Sequence, residues 1–189
     1  MVKKRILAIG KRETILKQLS QELNRSGYES DYMVNSNSEL NKLDAFKYDL
    51  VAFGRGVETK NKEQLKTRLS QQNPQILFME GLAPIVPVLI DQIKNILFAQ
   101  SGQENLLKNL QYDTENELNI KIEVTDDCRL EIILNQLDFL FRNQHQCIVH
   151  KNVEQGIHHF STGKRLQSFG RCFLVIKINH EVVHVIQIS

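Results

Sequence analysis

Short apolar runs alternate with longer amphipathic segments through the first hundred residues. Arg5-Ile-Leu-Ala-Ile-Gly10 reads as a strand, and Thr14 to Asn24 as a helix with Ile15, Leu16, Leu19 and Leu23 on one face. Gly27 supplies the stop signal of that helix. Tyr28 to Val34 is a second, more polar strand, expected at a sheet edge, after which Ser36 or Ser38 caps a short helix carrying Leu40, Leu43 and Phe46. Asp49 to Phe53, about Lys60 to Gln71, Gln75 to Met79, and about Pro84 to Phe98 continue as strand, helix, strand, helix. Strands apolar on both faces and separated by helices predict a parallel sheet covered on both sides. Right-handed crossovers make an α/β doubly wound sheet the economical solution.

Beyond Phe98 the rhythm changes. Ala99-Gln-Ser-Gly-Gln103 predicts a boundary, dividing the chain into a domain over 1–100 and a smaller α+β domain over 101–189. In the second part, about Glu104 to Tyr112 reads as a polar helix and Asn119 to Val124 as a strand. Cys128 to Phe141 reads as a strongly apolar helix with Asp126 and Asp127 as capping candidates. Cys147 to His150 is a short strand, and Lys151 to Arg171, polar with three glycines, a long loop or hairpin. Two β-branched runs, Cys172 to Ile178 and Glu181 to Ile188, flank Asn179-His180 and predict a β-hairpin at the end of the sequence.

Composition adds boundaries. With 189 residues, 41% of them hydrophobic, the chain is long enough to bury a substantial core. No apolar stretch is long enough to span a bilayer, and the first residues carry no secretory pattern, so the expectation is a cytoplasmic protein without a membrane partner. Three cysteines spaced by 19 and 25 residues form neither a disulfide framework nor a paired metal motif. The net charge of +2 names no partner, but residues 101–141 hold three Lys or Arg against nine Asp or Glu, and residues 142–177 six against one. Adjacent acidic and basic segments are expected to face each other within a domain or across a dimer.

Lys4-Arg-Ile-Leu-Ala-Ile9, the helix running from Leu19 into a Gly27-Tyr28 turn, and Tyr48-Asp-Leu-Val51 make the first hundred residues resemble a response-regulator receiver domain, the flavodoxin-like module of bacterial signalling. That family holds magnesium with an acidic pair after the first strand and accepts a phosphoryl group on an aspartate ending the third. The corresponding positions here are Gly10 with Lys11, and Gly54, while Glu80 and Gly81 follow the fourth strand where a hydroxyl residue would stand. A hard divalent cation needs oxygen ligands, which glycine and lysine side chains do not supply. The resemblance therefore implies a degenerate receiver without phosphoryl transfer, a module that binds and does not catalyse. In receivers the fourth-helix region is an association surface, and Pro84 to Phe98 is apolar enough to serve, so the expected partner is a second copy or another protein.

Other chemistry competes with that reading. Ligands of open parallel sheets sit at the carboxyl ends of strands. Gly10, Gly54, Gly56 and Gly81 would let backbone amides approach an anion there, with Lys11, Arg12 and Arg55 adding charge. A nucleotide- or phosphate-binding protein, with an enzyme left open under this alternative, is the second expectation, although neither dinucleotide nor P-loop spacing is present. His145, Cys147 and His150 lie within six residues, but a strand would put His150 on the opposite face from the other two, so no metal or other cofactor is expected. Cys147 and Cys172, beside apolar residues, read as small hydrophobes before they read as nucleophiles. His158, His159, Phe160, Lys164, Arg165, Phe169 and Arg171 have the basic and aromatic composition of a single-stranded nucleic-acid surface, the third candidate.

Overall fold

The computed structural model describes residues 3–34, 40, 43–82, 85–137, 142–163 and 171–188. The chain divides into two compact units, Met1–Ile93 and Lys94–Ser189, with the division inside a helix that the sequence pattern places wholly in the first domain.

The first unit is α/β. Its strands β1 (Arg5–Gly10), β2 (Glu29–Val34), β3 (Leu50–Phe53) and β4 (Leu77–Glu80) form a parallel sheet in the order β2-β1-β3-β4, so the polar strand β2 lies at an edge as its composition predicts. Leu7, Ile9, Val51 and Phe53 share one core with Leu65 and Leu69 of α2 (Thr59–Gln72). The alternate residues Ile6, Ala8, Leu50 and Ala52 are also buried. On that side α1 (Glu13–Arg25) turns Leu16, Leu19 and Leu23 inward. Burying each such side chain contributes about 1.5–3 kcal/mol, and this layered burial is what holds strands of only four to six residues.

Gly27 ends α1 as expected. Its φ of +91° lets the amide of Tyr28 reach Leu23 O (3.1 Å) and its own amide reach Asn24 O (3.1 Å), a closure that satisfies two terminal carbonyls. Buried Ser20 donates to Ser30 O at 2.7 Å, and Asn24 binds both the amide and the carbonyl of Ser30, tying α1 to β2. The expected helix before β3 is described only in part. Leu40 and Leu43 are buried as expected, Ser36 and Ser38 lie outside the described residues, and Ala45–Lys47 is a single 3₁₀ turn. Phe46, expected on the apolar face, is instead 76% exposed. Helix α3 (Val86–Ala99) follows β4.

The second unit departs most from the sequence pattern. Apart from the end of α3, its described elements are antiparallel strands: β5 (Leu107–Asp113), β6 (Asn119–Val124), β7 (Cys128–Leu137), β8 (Asn143–Val153), β9 (Gly156–Ser161), β10 (Arg171–Ile178) and β11 (Glu181–Gln187). They form a four-stranded sheet, β11-β10-β7-β8, and a three-stranded sheet, β5-β6-β9. One core takes Ile120, Ile122 and Val124 from the smaller sheet, and Leu130, Ile132, Leu134, Leu174 and Ile176 from the larger.

Three expected elements are corrected. Glu104 to Tyr112 is not a helix: Leu107 and Leu110 lie three apart, yet a bulge between Leu107 and Asn109 shifts the phase of β5 so that both meet the core. Over its described part, Cys128–Leu137, the helix expected from Cys128 to Phe141 is a strand instead. β7 buries apolar side chains on both faces, with Leu130, Ile132 and Leu134 in the main core and Ile133 in a second cluster with Val175 and Val182. Asp126 and Asp127, expected as helix caps, occupy the turn before β7, where Asp127 accepts from Gln155 N at 2.8 Å. Lys151 to Arg171 is not a loop throughout, since it contains the end of β8 and all of β9, joined at Gly156 with φ +135°. The hairpin β10–β11 forms as expected. Asn179 (φ 51°) and His180 (φ 72°) make a two-residue turn of the primed type, and Asn179 also exchanges backbone hydrogen bonds of 2.9 Å with Arg129 through its side chain and amide. No helix among the described residues is long and apolar enough to cross a membrane.

Candidate functional site

A parallel sheet gathers its strand-to-helix loops at one edge. Here that rim brings together Gly10, Gly54 and Gly81: Gly54 N donates to Ile9 O at 2.7 Å, and Gly81 N to Phe53 O at 2.8 Å. The glycines stand there for different reasons. A Cβ on Gly81 would lie 2.7 Å from Leu89 Cδ2, and one on Gly10 3.2 Å from Leu16 Cδ2, so helices α3 and α1 close on these strand ends. At Gly54 a Cβ would meet only Ile9 O at 3.4 Å and Gly10 Cα at 3.5 Å, ordinary contacts. Packing explains the first two glycines, and none of the three is held at positive φ.

The cations of the rim are placed by the same loops. The stem of Lys11 runs across Gly56, within 3.2 Å of where a Cβ would stand, which sets the loop after β1 beside the loop after β3. Lys11, Arg12 and Arg55 are exposed. Neither α1 nor α2 has a side-chain hydrogen bond at its N-cap, where Arg12 and Glu58 stand.

Glu80, the one carboxylate that ends a parallel strand among the described residues, is already engaged. It accepts from Lys62 Nζ at 2.5 Å and from Lys66 Nζ at 2.8 Å, and Lys66 also reaches Glu63 at 3.0 Å. The bond from Lys62, followed by that from Lys66, holds the Glu80 carboxyl below the ordinary glutamate range, and Glu80 in turn raises the Lys66 ammonium. Lys66 stands 6.0 Å from the centre of the Phe53 ring. These lysines, one helical turn apart on α2, are the rim residues that sequence reading missed. Their i,i+4 spacing marks a shared face of α2 but does not name Glu80 as the partner.

Helix α3, expected to offer an apolar association face, turns most of that face inward. Val86, Val88, Leu89, Ile93 and Phe98 are buried, and Pro84 lies outside the described residues. These five side chains do not stand at the surface, whereas Ile90, Ile96 and Leu97 are partly exposed.

Among the described residues singled out in the second unit, His158, His159, Phe160 and Arg171 do not assemble into a strip. His158 and Phe160 stack on one side of β9 (centroids 6.3 Å apart), with Lys151 Nζ 5.1 Å from the Phe160 ring, whereas His159 alternates to the other side. Phe160 also packs against the apolar core. Arg171 opens β10 in the other sheet, and Lys164, Arg165 and Phe169 lie outside the described residues. An open concavity of about 410 Å³ borders this sheet beside Tyr112, Lys121 and His159.

β8 corrects the face assignment of its histidines. A bulge opposite Ile132 and Ile133 lets His145, Cys147 and His150 pair with Asn135, Ile133 and Glu131, all odd-numbered neighbours on one face of β7. The three still do not converge. His145 lies 3.4 Å from Asn135 Oδ1, Cys147 donates to Val149 O at 3.3 Å, and His150 Nε2 is 2.7 Å from Arg129 Nη2. Among the described residues no group of three His, Cys, Asp or Glu side chains is placed to hold a metal ion. Cys128 and Cys172 are buried, and burial first, with Asp126 and Asp127 adding to it, raises the Cys128 thiol away from reactivity. The chain matches no protein-family model and no curated protein.

Proposed function

We propose that the first unit is a receiver-like, flavodoxin-like module that has given up phosphoryl-transfer chemistry and acts by docking to a second copy or to another protein. The reading rests on one observation: the parallel order β2-β1-β3-β4 ends at a rim where Gly10, Lys11 and Gly54 occupy the positions that phosphoryl chemistry would give to carboxylates. That order is the beginning of the 2-1-3-4-5 arrangement of flavodoxin-like sheets. Glu80, clamped by Lys62 and Lys66, has its charge satisfied inside the chain. The docking element is Phe46. Its turn is pinned by Asp44, which accepts from Phe46 N at 3.0 Å, and by Asn73, which donates to Ala45 O at 3.1 Å, so the ring is displayed at little entropic cost. Light scattering tests self-association. A dimer that Phe46→Ala converts to a monomer with unchanged secondary structure by circular dichroism is the expected result, and a wild-type monomer across working concentrations removes the second copy as partner.

A second reading, a phosphate or nucleotide site on the same rim, is favoured by Lys11 lying across Gly56 beside Arg12 and Arg55. A nucleotide at a hundred times its dissociation constant would add about 2.7 kcal/mol of stability, visible as a thermal shift that Lys11→Ala and Arg55→Ala reduce. No shift with any nucleotide or with inorganic phosphate removes this reading and leaves the first intact.

A further inference from the structure

No further inference is drawn: the strongest candidate, the concavity on the three-stranded sheet β5-β6-β9 beside Tyr112, Lys121 and His159, is an open face lined mostly by exposed side chains, and nothing in the structure shows what covers it.

Discussion

The two units solve the same burial problem with opposite strand directions, and the direction decides where chemistry can collect. In the first unit every strand of the sheet runs the same way, so the loops after β1, β3 and β4 meet at one rim and bring Lys11, Arg55 and Glu80 to a common edge. In the second unit neighbouring strands alternate in direction, and successive turns fall at opposite ends of the sheets. His145, Cys147 and His150 are therefore strung along a single strand, with about 3.3 Å of rise per residue keeping them apart. Parallel order concentrates functional groups, and antiparallel order spreads them over a surface.

The comparison can be broken by substitutions in each unit. The largest effects belong to the cores: Phe53→Ala in the first unit should cost about 3–5 kcal/mol, and Leu174→Ala in the second about 2–5 kcal/mol, by urea denaturation. Both side chains are no more than 1% exposed, so a loss below 1 kcal/mol at either would mean that the sheet concerned is not packed as described.

The rim glycines should separate by sign. Gly81→Ala presses against Leu89 and should lose about 1–3 kcal/mol through overpacking. Gly54→Ala, which meets only ordinary contacts, should gain about 0.4–1 kcal/mol by narrowing the unfolded ensemble. Equal effects at the two positions would contradict the close approach of α3. At the hairpin, His180→Gly relieves a left-handed conformation worth roughly 1–2 kcal/mol and restores backbone freedom to the unfolded chain, for a net gain of about 0.5–1 kcal/mol in a thermal melt.

The smallest effect is at Glu80. The Glu80 side chain is half exposed, so Glu80→Gln should cost less than about 1 kcal/mol at neutral pH. The sign of the pH dependence follows from the lowered carboxyl. Its contribution is fully present above the unfolded glutamate value of about 4.3 and is lost as pH falls through the lower folded value. Wild type should therefore lose more stability than Glu80→Gln between about pH 5 and pH 3, and parallel curves would show that the lysine clamp does not hold in solution.

These effects also mark what the sequence could disclose. Gly27 and Asn179-His180 announce their turns because each supplies a left-handed conformation that few residues adopt. Strands β1 and β3 were readable because helices cover both faces and make each a short, continuous apolar run. β7 defeats the same reasoning. It is ten residues long and buries apolar side chains on both faces, so periodicity cannot distinguish it from a buried helix. The bulges in β5 and β8 shift side-chain phase by one residue, which made Leu107 with Leu110 look helical and put His150 on the wrong face. Of the rim, Gly10, Lys11, Gly54 and Gly81 were legible from their places at strand ends. Lys62 and Lys66 were not, because their meeting with Glu80 depends on how α2 crosses the sheet.

The central claim, that the rim of the parallel sheet takes up no phosphoryl group, is tested most directly by incubating the full chain with acetyl phosphate and magnesium and measuring intact mass. The account predicts no added phosphate at any excess of donor. An acid-labile adduct of one phosphate, mapped to a carboxylate at the strand ends around Gly10, Gly54 and Glu80, would contradict it and restore a signalling chemistry to the first unit.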